Sequence, residues 1–475
     1  MNDQPNELWQ WTAADLALAI RQKRVSSREA VESCFARIDA VNPRVNALVS
    51  VQRDDAMRAA EAADRALASG EATGVLHGVP VTTKVNVDQK GLPTTNGVVA
   101  FAGNVAPSDS PVVRNLRNAG AILIGRSNAP AFSLRWYTDN DLHGRTLNPW
   151  RADRTPGGSS GGAAVAVALG MCAIGHGTDG GGSIRYPAFC TGTVGLRPSW
   201  GRIPSFNETV PVERPLSMQL VVVQGAITRS VEDARVALTA MSAGDARDPW
   251  WVPAPLEWPP AHAPLRVAVC IDPAEVGVHP AVEAQILAAS KMLEEAGYLV
   301  ETAAPPDVGA AAAAWNEFVQ GEGILTAGSH VARYGDSDAK RAFELMAQRT
   351  PRNDTAAHIR VAASRATYLR KWQAFMERYP LVLCPVAMEP ALPYGVDTES
   401  AGSVERLFRS HTFLLATSLI GLPSISVPCG TADGVPVGVQ IVGPRFREDL
   451  VLAAAQCIEE CVGRIVPTEP VFQRT

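Results

Sequence analysis

The chain has 475 residues, enough for one large α/β domain or for two to three domains of average size. Hydrophobic residues make up 46% of it and charged residues 19%, a globular composition that excludes a disordered chain. The net charge is −5, and the 43 basic residues are interspersed among 48 acidic ones. This pattern gives no sign of an electrostatic surface for nucleic acid or for a membrane, so neither is expected as a partner.

The opening residues, MNDQPNELWQW, lack a basic segment followed by an apolar one, and no apolar run approaches 18 residues. We therefore expect neither a secretory signal nor a transmembrane helix. The eight cysteines are scattered along the chain rather than spaced as a disulfide framework. Together these observations predict a protein of the reducing cytoplasm.

No metal or other cofactor is predicted. Cys457 and Cys461 lie four residues apart on a predicted helix, but there is no CxxC motif and no histidine nearby. Two small buried hydrophobic side chains are favoured there over a metal site. The eight histidines are dispersed and form no HExxH or HxH pair.

The predicted elements begin with helices over residues 1–70. Ser26 and Glu29 form a capping box, and a third helix, at about 54–69, ends at Gly70. After residue 70, short apolar strands alternate with helices. The strands lie within 77–87, 121–125, 266–272, 298–303, 381–385, 424–428 and 437–442, and two helices run from about 110 to 120 and from 280 to 296. This alternation predicts an α/β fold in which helices cover a β-sheet.

The sequence leaves one possible domain boundary undecided. Residues 244–264 are rich in proline and tryptophan and are the best linker candidate, whereas the C-terminal apolar strands indicate one interlocked sheet. We favour a single domain over 1–475, with a helical segment at 1–70, a core at 71–245 and the remaining sheet and helices at 265–475. Residues 305–380 are alanine-rich and predicted to be helical, and they carry little chemical signal.

Residues 157–195 contain twelve of the 39 glycines and match two generic motifs. Gly175–Gly180 fits G-x-G-x-x-G, but Pro187 forbids the long helix that a dinucleotide site needs, and no acidic residue follows at the required distance. Gly157–Gly161 fits G-x-S-x-G, but the residues before it are not a strand and no later histidine has a distinctive setting. Both interpretations are disfavoured.

Three polar residues remain in unusual places, namely Lys84, Ser159 and Ser183. A solvated lysine and two serines in flexible turns would be the simplest explanation. That explanation does not account for two separate glycine–serine clusters joined by an apolar segment, because surface loops do not require such an arrangement.

The sequence resembles the amidase signature family over essentially its whole length, most weakly between about 250 and 410. The resemblance is carried by GVPVTTKVNVDQKG (78–91), TDNDLHGRTLNPW (138–150), TPGGSSGG (155–162), GTDGGGSIRYPAFCTGTVGLRP (177–198), ITRSVEDARVAL (227–238) and the segment 421–443. It implies the amidase signature fold, a single large mixed sheet covered on both faces by helices. It also implies that Lys84 is the catalytic lysine, Ser159 the serine on a cis peptide and Ser183 the nucleophile.

The implied chemistry is hydrolysis of a carboxamide to a carboxylate plus ammonia or an amine. A serine hydroxyl needs a neighbouring base to become a nucleophile, and Lys84 acting through Ser159 would be that base. The pKa of a free lysine is about 10.4, and lowering it to about 7 requires roughly 4.6 kcal/mol, which burial can supply. We therefore expect Lys84 to be buried and mostly neutral. Many relatives have an acidic residue after this lysine, where this chain has Val85, a tolerable departure.

The resemblance assigns further residues around these three. Ser160 is expected either to hydrogen-bond Lys84 or to cap the following helix, and both roles are compatible. The backbone N–H groups of Gly180, Gly181, Gly182 and Ser183 would stabilise the oxyanion of the tetrahedral intermediate. Because relatives usually carry threonine or isoleucine at position 180, Gly180 predicts an unusually flexible loop.

Two charged residues complete the predicted loop, and three more residues are candidates for the substrate pocket. Asp179 is expected to hold the loop by accepting backbone hydrogen bonds, and Arg185 is favoured as an ion-pair partner over a catalytic group. By the resemblance, Ser133, Arg135 and Trp136 fall where relatives have pocket-lining residues. Arg135 would meet a substrate carboxylate or be solvated, with solvation favoured, and Trp136 predicts room for an apolar or aromatic acyl group.

The leading hypothesis is a free-standing amidase acting on a small-molecule amide. The alternative is the glutaminase subunit of a tRNA-dependent amidotransferase, which has the same three catalytic residues but works inside a complex. The flanking segments 138–150 and 246–256 are more typical of stand-alone amidases. A catalytically inactive binding protein is disfavoured because all three residues are present. The sequence leaves monomer and homodimer open.

Overall fold

A mixed sheet of eleven strands runs through the part of the chain that the computed structural model describes, residues 7–71, 73–210, 213–259, 264–466 and 469–472. The strands are β1 (Leu48–Val51), β2 (Pro80–Lys84), β3 (Ile122–Ser127), β4 (Ile174–Asp179), β5 (Val194–Arg197), β6 (Val223–Thr228), β7 (Arg266–Val269), β8 (Leu299–Thr302), β9 (Leu381–Pro385), β10 (Ser424–Ala432) and β11 (Val435–Val442). Their order across the sheet is β1-β3-β2-β4-β6-β5-β10-β11-β9-β7-β8.

Helices connect these strands. They are α1 (Ala13–Arg21), α2 (Ser27–Val45), α3 (Arg53–Ser69), α4 (Pro111–Asn118), α5 (Gly161–Ala168), α6 (Arg185–Thr191), α7 (Leu216–Val221), α8 (Val231–Met241), α9 (Pro280–Glu295), α10 (Val308–Trp315), α11 (Gly321–Thr326), α12 (Gly328–Tyr334), α13 (Ser337–Arg349), α14 (Thr355–Arg378), α15 (Val396–Glu399), α16 (Ala401–Ser410), α17 (Thr412–Ile420) and α18 (Glu448–Val462). A π-helical turn, Asn316–Gln320, follows α10 directly.

The helices cover both faces of the sheet, as predicted. Successive residues of a strand point to opposite faces. Along β3, Leu123 belongs to the apolar cluster that includes residues of α4 and α8. Its neighbours Ile122 and Ile124 belong to a second cluster that includes residues of α2, α3 and α5. Burial on both faces explains why a strand such as β9 is visible in the sequence as a continuous apolar run.

The N-terminal helices form where the sequence predicts them. Ser26 and Glu29 make the reciprocal capping box at the start of α2, and α3 ends at Gly70, which adopts the left-handed conformation. None of the helices in the described ranges combines the length and the apolar character needed to span a bilayer.

The described part of the stretch 244–264 is hydrogen-bonded to the segments that precede it. The Trp251 indole donates to the Ser242 carbonyl, and the Val252 N–H donates to the Gly201 carbonyl at 2.8 Å. Residues 260–263 of this linker candidate lie outside the described residues. On the far side of the linker, β10 pairs with β5, so the strands of the two halves share one sheet.

Strand direction brings the polar motifs together. Strands β2 and β4 are parallel neighbours, so their carboxyl ends lie at the same edge of the sheet. Lys84 is the last residue of β2, and Asp179 is the last residue of β4. The glycine-rich loop therefore begins next to the lysine.

Candidate active site

Lys84 is enclosed by hydroxyl groups. Its side chain is fully buried, and its Nζ lies 2.7 Å from the Ser159 Oγ. The Ser160 Oγ and the Thr178 Oγ1 each lie 3.2 Å from the same nitrogen. The lysine was predicted to be buried beside Ser159, and the geometry agrees.

The surrounding hydrogen bonds fix the direction in which the amine points. The Ser160 hydroxyl donates to the Thr178 carbonyl, and the Thr178 hydroxyl accepts from the Asn86 amide. Both hydroxyl oxygens are therefore placed to accept the two N–H bonds of a neutral amine. The remaining lone pair of Lys84 is left for the Ser159 hydroxyl, which makes the shortest of the three contacts.

Burial lowers the pKa of Lys84 to about 7, while the charge of Asp179, the smaller of the two effects, opposes that change. The neutral and protonated forms of Lys84 are then comparably populated at neutral pH. The neutral fraction is therefore smaller than the sequence led us to expect. The nearest ring adds no charge, because burial lowers the pKa of His176 to about 4. That ring accepts from the Lys84 backbone N–H and contacts the Gln224 amide oxygen at 2.8 Å.

The Gly158–Ser159 peptide bond is cis, as the resemblance implied. A side chain at Gly158 would lie 2.5 Å from the Arg135 carbonyl oxygen, so only glycine fits this approach. Ser160 stands at the N-cap position of α5, but its side chain makes no capping bond. Of its two expected roles, contact with Lys84 is the one that the side chain performs.

Ser183 lies beside the first serine cluster. The Ser160 N–H donates to the Ser183 carbonyl at 3.2 Å, which joins the two glycine–serine segments. Ser183 is half-buried, and its hydroxyl has no hydrogen-bond partner among the described residues. The hydroxyl is therefore accessible to a ligand, and α6 begins two residues later at Arg185.

Asp179 anchors the loop as predicted. Its carboxylate accepts from the Gly182 N–H at 2.8 Å and from the Ile184 N–H at 3.2 Å. Burial by itself would raise the pKa of Asp179, but the guanidinium groups of Arg185 and Arg197 hold that pKa well below its ordinary value. Arg185 is thus an ion-pair partner, the favoured role, and it also bonds to α17 and β11.

One expectation about the oxyanion donors and one about the flexibility of the loop are wrong. The Gly182 N–H is bonded to Asp179 and is not free for an oxyanion. In the described part of the chain, by contrast, no group accepts a hydrogen bond from the N–H of Gly181 or of Ser183. The loop is also not loose at Gly180, because the Trp315 indole donates to the Gly180 carbonyl at 2.7 Å.

Arg135 is neither solvated nor available to a substrate, so that expectation is wrong. Its side chain is 1% exposed and makes a two-pronged ion pair with Asp397 at 2.7 and 3.0 Å. It also pairs with Asp139, and with Asp338 at 3.4 Å. Burial tends to lower the pKa of Arg135, but these carboxylates raise it overall. Arg135 therefore ties the segment before the first serine cluster to α15.

Trp136 contacts the glycine-rich loop directly, whereas Ser133 contacts a neighbour of Lys84. Trp136 is 4% exposed, and its indole donates to the Gly181 carbonyl at 2.9 Å. Trp136 therefore packs against the loop and is too buried to line an open pocket for an acyl group. The Ser133 hydroxyl accepts from the Asn86 amide, which also donates to Thr178. Hydrogen bonds through Asn86 and Thr178 therefore connect Ser133 to Lys84.

Sequence reasoning missed four residues that shape this site, Thr178, Arg197, Trp315 and Asp397. The first two stand inside the quoted motif 177–198, so their position offered a signal. The other two lie between residues 250 and 410, where the resemblance is weakest and nothing in the sequence pointed to the site. In the described residues, no group of three or more His, Cys, Asp or Glu side chains is arranged to hold a metal ion.

Comparison with known proteins gives a consistent result. The model of the Amidase family matches residues 29–452. An indoleacetamide hydrolase of Bradyrhizobium diazoefficiens is 44% identical over 457 residues, which cover 96% of this chain and 87% of that protein. A glutamyl-tRNA(Gln) amidotransferase subunit from Moorella thermoacetica is 32% identical, covering 96% of this chain and 97% of that one. The crystal structure of a bacterial aryl acylamidase of the amidase signature family superimposes with a TM-score of 0.82 at 27% identity, covering 95% and 96%.

The fold and the site thus define an enzyme of mixed α/β architecture in which a buried lysine faces a serine-rich loop. The chain belongs to the amidase signature family. It is an amidohydrolase that cleaves the C–N bond of a carboxamide. The amidotransferase alternative is the less well supported one, because those relatives are the more distant in sequence.

Proposed function

We propose that Ser183 is the nucleophile, that Ser159 relays its proton and that Lys84 is the base. The observation that carries this proposal is the 2.7 Å contact between the Lys84 Nζ and the Ser159 Oγ in a fully buried position. A lysine accepts a proton only when it is neutral, and burial has already lowered the pKa of this one to about 7.

The reaction begins when the Ser183 oxygen forms a bond to the amide carbon. The Ser183 proton moves to Ser159 as the Ser159 proton moves to Lys84, and the carbonyl oxygen becomes an oxyanion. Lys84 then returns a proton through Ser159 to the amide nitrogen, the C–N bond breaks, and ammonia or an amine leaves. Water attacks the resulting ester by the same route in reverse, which releases the carboxylate and restores Ser183.

The N–H groups of Gly181 and Ser183 are the proposed oxyanion donors. Neither is bonded to another group in the described residues, whereas the Gly182 N–H is held by Asp179. The Gly180 carbonyl accepts from Trp315 and shares its peptide plane with the Gly181 N–H. Two preorganised donors in a water-poor site stabilise the developing negative charge without rearrangement during the reaction.

For the substrate, we propose a primary amide with an aromatic acyl group, with indoleacetamide as the first compound to test. The support is the 44% identity to an indoleacetamide hydrolase over nearly the whole chain. Release of ammonia from indoleacetamide, aliphatic amides, aryl amides and amino-acid amides tests it, with the Ser183→Ala variant as the blank. Preference for an aliphatic amide would contradict the aromatic assignment.

We propose that the chain functions as one catalytic domain without an amidotransferase partner, in the cytoplasm and as a monomer or homodimer. A continuous sheet that includes strands on both sides of the linker supports the single domain, and eight free cysteines support a reducing compartment. Gel filtration combined with a glutaminase assay of the isolated chain tests independence. Full activity in EDTA is expected, and inactivation by EDTA would contradict a serine mechanism.

A further inference from the structure

Three successive carbonyls of the loop 180–183 are each held from outside the loop. The Gly180 carbonyl accepts from the Trp315 indole at 2.7 Å, and the Gly181 carbonyl accepts from the Trp136 indole at 2.9 Å. The Gly182 carbonyl accepts from the Tyr186 N–H at 2.8 Å. Glycine adopts either sign of φ at little cost, so a run of three glycines does not by itself fix the orientation of its peptide planes. These outside contacts do so.

A held carbonyl also fixes the N–H that follows it. In a planar trans peptide, the C=O of one residue and the N–H of the next point in opposite directions, and among the described residues only Gly158–Ser159 is cis. The Gly181 carbonyl illustrates the rule, because Trp136 holds it while the Gly182 N–H on the same plane meets Asp179 at 2.8 Å. By the same rule, the contact of Trp315 with the Gly180 carbonyl orients the Gly181 N–H.

We infer that Trp315 is a positioning residue that aims the Gly181 N–H at the oxyanion. This inference rests on the proposed function, in which Ser183 is the nucleophile and Gly181 is a donor. Trp315 is 4% exposed, and its ring lies so close to the loop that a Cβ on Gly181 would be 2.7 Å from the indole Cζ2. The indole thus packs against one side of the peptide and binds its carbonyl.

The location of Trp315 is suited to this role. It is the last residue of α10, and the π-helical turn Asn316–Gln320 begins directly after it. Such turns recur at functional sites. Trp136, Phe408 and Trp315 also contact each other, with ring centroids 5.3 to 6.5 Å apart, so the indole is held on its outer side as well.

Three variants separate the indole N–H from the indole ring. Trp315→Phe keeps an aromatic ring and removes the donor. Trp315→His removes the benzo ring but keeps an N–H at the ring position equivalent to the indole nitrogen. Trp372→Phe is the matched control, because Trp372 is buried and its indole donates to a different carbonyl, that of Pro306, at 2.9 Å.

The measurements are kcat and KM for indoleacetamide, or for the best amide of the panel, and inhibition by the corresponding aldehyde. The aldehyde adds to the Ser183 oxygen, the serine proton passes to the base, and the former carbonyl oxygen takes the oxyanion position. Trp315→Phe is expected to lower kcat about 10- to 100-fold, less than the 10²–10³-fold known for deletion of a donor. KM should change less than threefold, and aldehyde binding should weaken by a factor similar to that for kcat. Trp372→Phe should stay within twofold of wild type in all three.

Partial recovery of kcat in Trp315→His, relative to Trp315→Phe, tests whether the indole N–H of Trp315 or its bulk matters. Trp315→His has a smaller side chain than Trp315→Phe, so it should be the worse variant if packing alone matters. A higher kcat for Trp315→His supports the inference, and an equal or lower one overturns it. A Trp315→Phe enzyme that differs from wild type only in KM, or that matches Trp372→Phe, also overturns it while leaving the proposed function intact. If wild type hydrolyses no amide of the panel, or if Ser183→Ala remains active, the proposed function fails and this inference fails with it.

Discussion

The two sides of Ser183 are built in different ways. On one side, Lys84 is surrounded by neutral hydroxyl groups, and burial lowers its pKa to about 7. On the other side, Asp179 is equally buried, but two guanidinium groups keep it ionised. The same loss of water therefore gives opposite results, because one charge is left without a counter-ion in hydrogen-bond contact and the other has two. The lysine side can exchange a proton near neutral pH, whereas the loop side provides fixed electrostatics.

The largest effects are expected from removing the reacting groups. Ser183→Ala and Lys84→Ala should each lower kcat by roughly 10⁴-fold or more, because residues that act as one unit fail together. Ammonia release under single-turnover conditions measures the loss. Lys90→Ala, a change at an exposed lysine six residues further on, is the control and should retain full activity. Near-normal kcat in either of the first two variants would contradict the assigned roles.

The next largest effect tests the loop side. Arg185→Met leaves Asp179 with one guanidinium partner and removes bonds to Thr417 and Gln440. Breaking a buried ion pair costs about 3–5 kcal/mol, so urea unfolding should show a loss of that order, and kcat should fall about 100-fold as the loop loosens.

The control for that variant is Arg151→Met, which breaks an exposed pair with Asp153. Its unfolding midpoint should remain at the wild-type value. If Arg185→Met has the same unfolding midpoint as Arg151→Met, Asp179 does not depend on Arg185 as a counter-ion. That result would contradict the difference drawn between the two sides of Ser183.

The pH profile distinguishes the two sides directly. Lys84 must be neutral to accept a proton, and its pKa is about 7. We expect kcat/KM to rise about tenfold per pH unit below 7 and to level off above it. Asp179 stays ionised over this range because its pKa is held low. A flat profile from pH 5 to pH 9 would contradict Lys84 as the base.

The carboxyl group of Asp139 also titrates in this range, so its contribution to the pH profile has to be distinguished from that of Lys84. Burial raises the pKa of Asp139 to about 6, although Arg135 opposes that change. Because the acid limb is assigned to Lys84, Asp139→Asn should leave it at its wild-type position. A shift of the limb in that variant would assign it to Asp139.

The smallest effect is expected at Thr178. Thr178→Val removes an oxygen that accepts from the Lys84 Nζ at 3.2 Å, and kcat should fall about tenfold or less. An acceptor also stabilises the ammonium form, so the acid limb should move to lower pH. Thr239→Val, at an exposed threonine of α8, should change neither quantity. A limb that moves to higher pH in Thr178→Val would show that the hydroxyl does not accept from the lysine.

Local patterns predicted the fold well where helices and strands carry their own signals. The boundaries of α3, β2 and α9 follow from a glycine stop, an apolar run and a proline start, and they were predicted within about three residues. The resemblance implied that Lys84, Ser159 and Ser183 act at one site. In the structure, Lys84 and Asp179 lie at the same edge of the sheet because they end parallel neighbouring strands.

The expectations that failed concern partners distant in the chain. Arg135 was expected to be solvated or to meet a substrate carboxylate, but its main partner is Asp397, 262 residues away. Gly180 was expected to be mobile because glycine has local freedom, and its restraint, Trp315, is 135 residues away. No periodicity or motif encodes contacts of that separation.

By itself, the sequence determined the class of reaction, amide hydrolysis, through motifs that contain a lysine, two serines and the glycines between them. Only the tertiary structure decided the electrostatic state of those groups. Whether a buried lysine is neutral and whether a peptide N–H is free depend on which distant side chains exclude water and supply hydrogen bonds, and packing alone sets both.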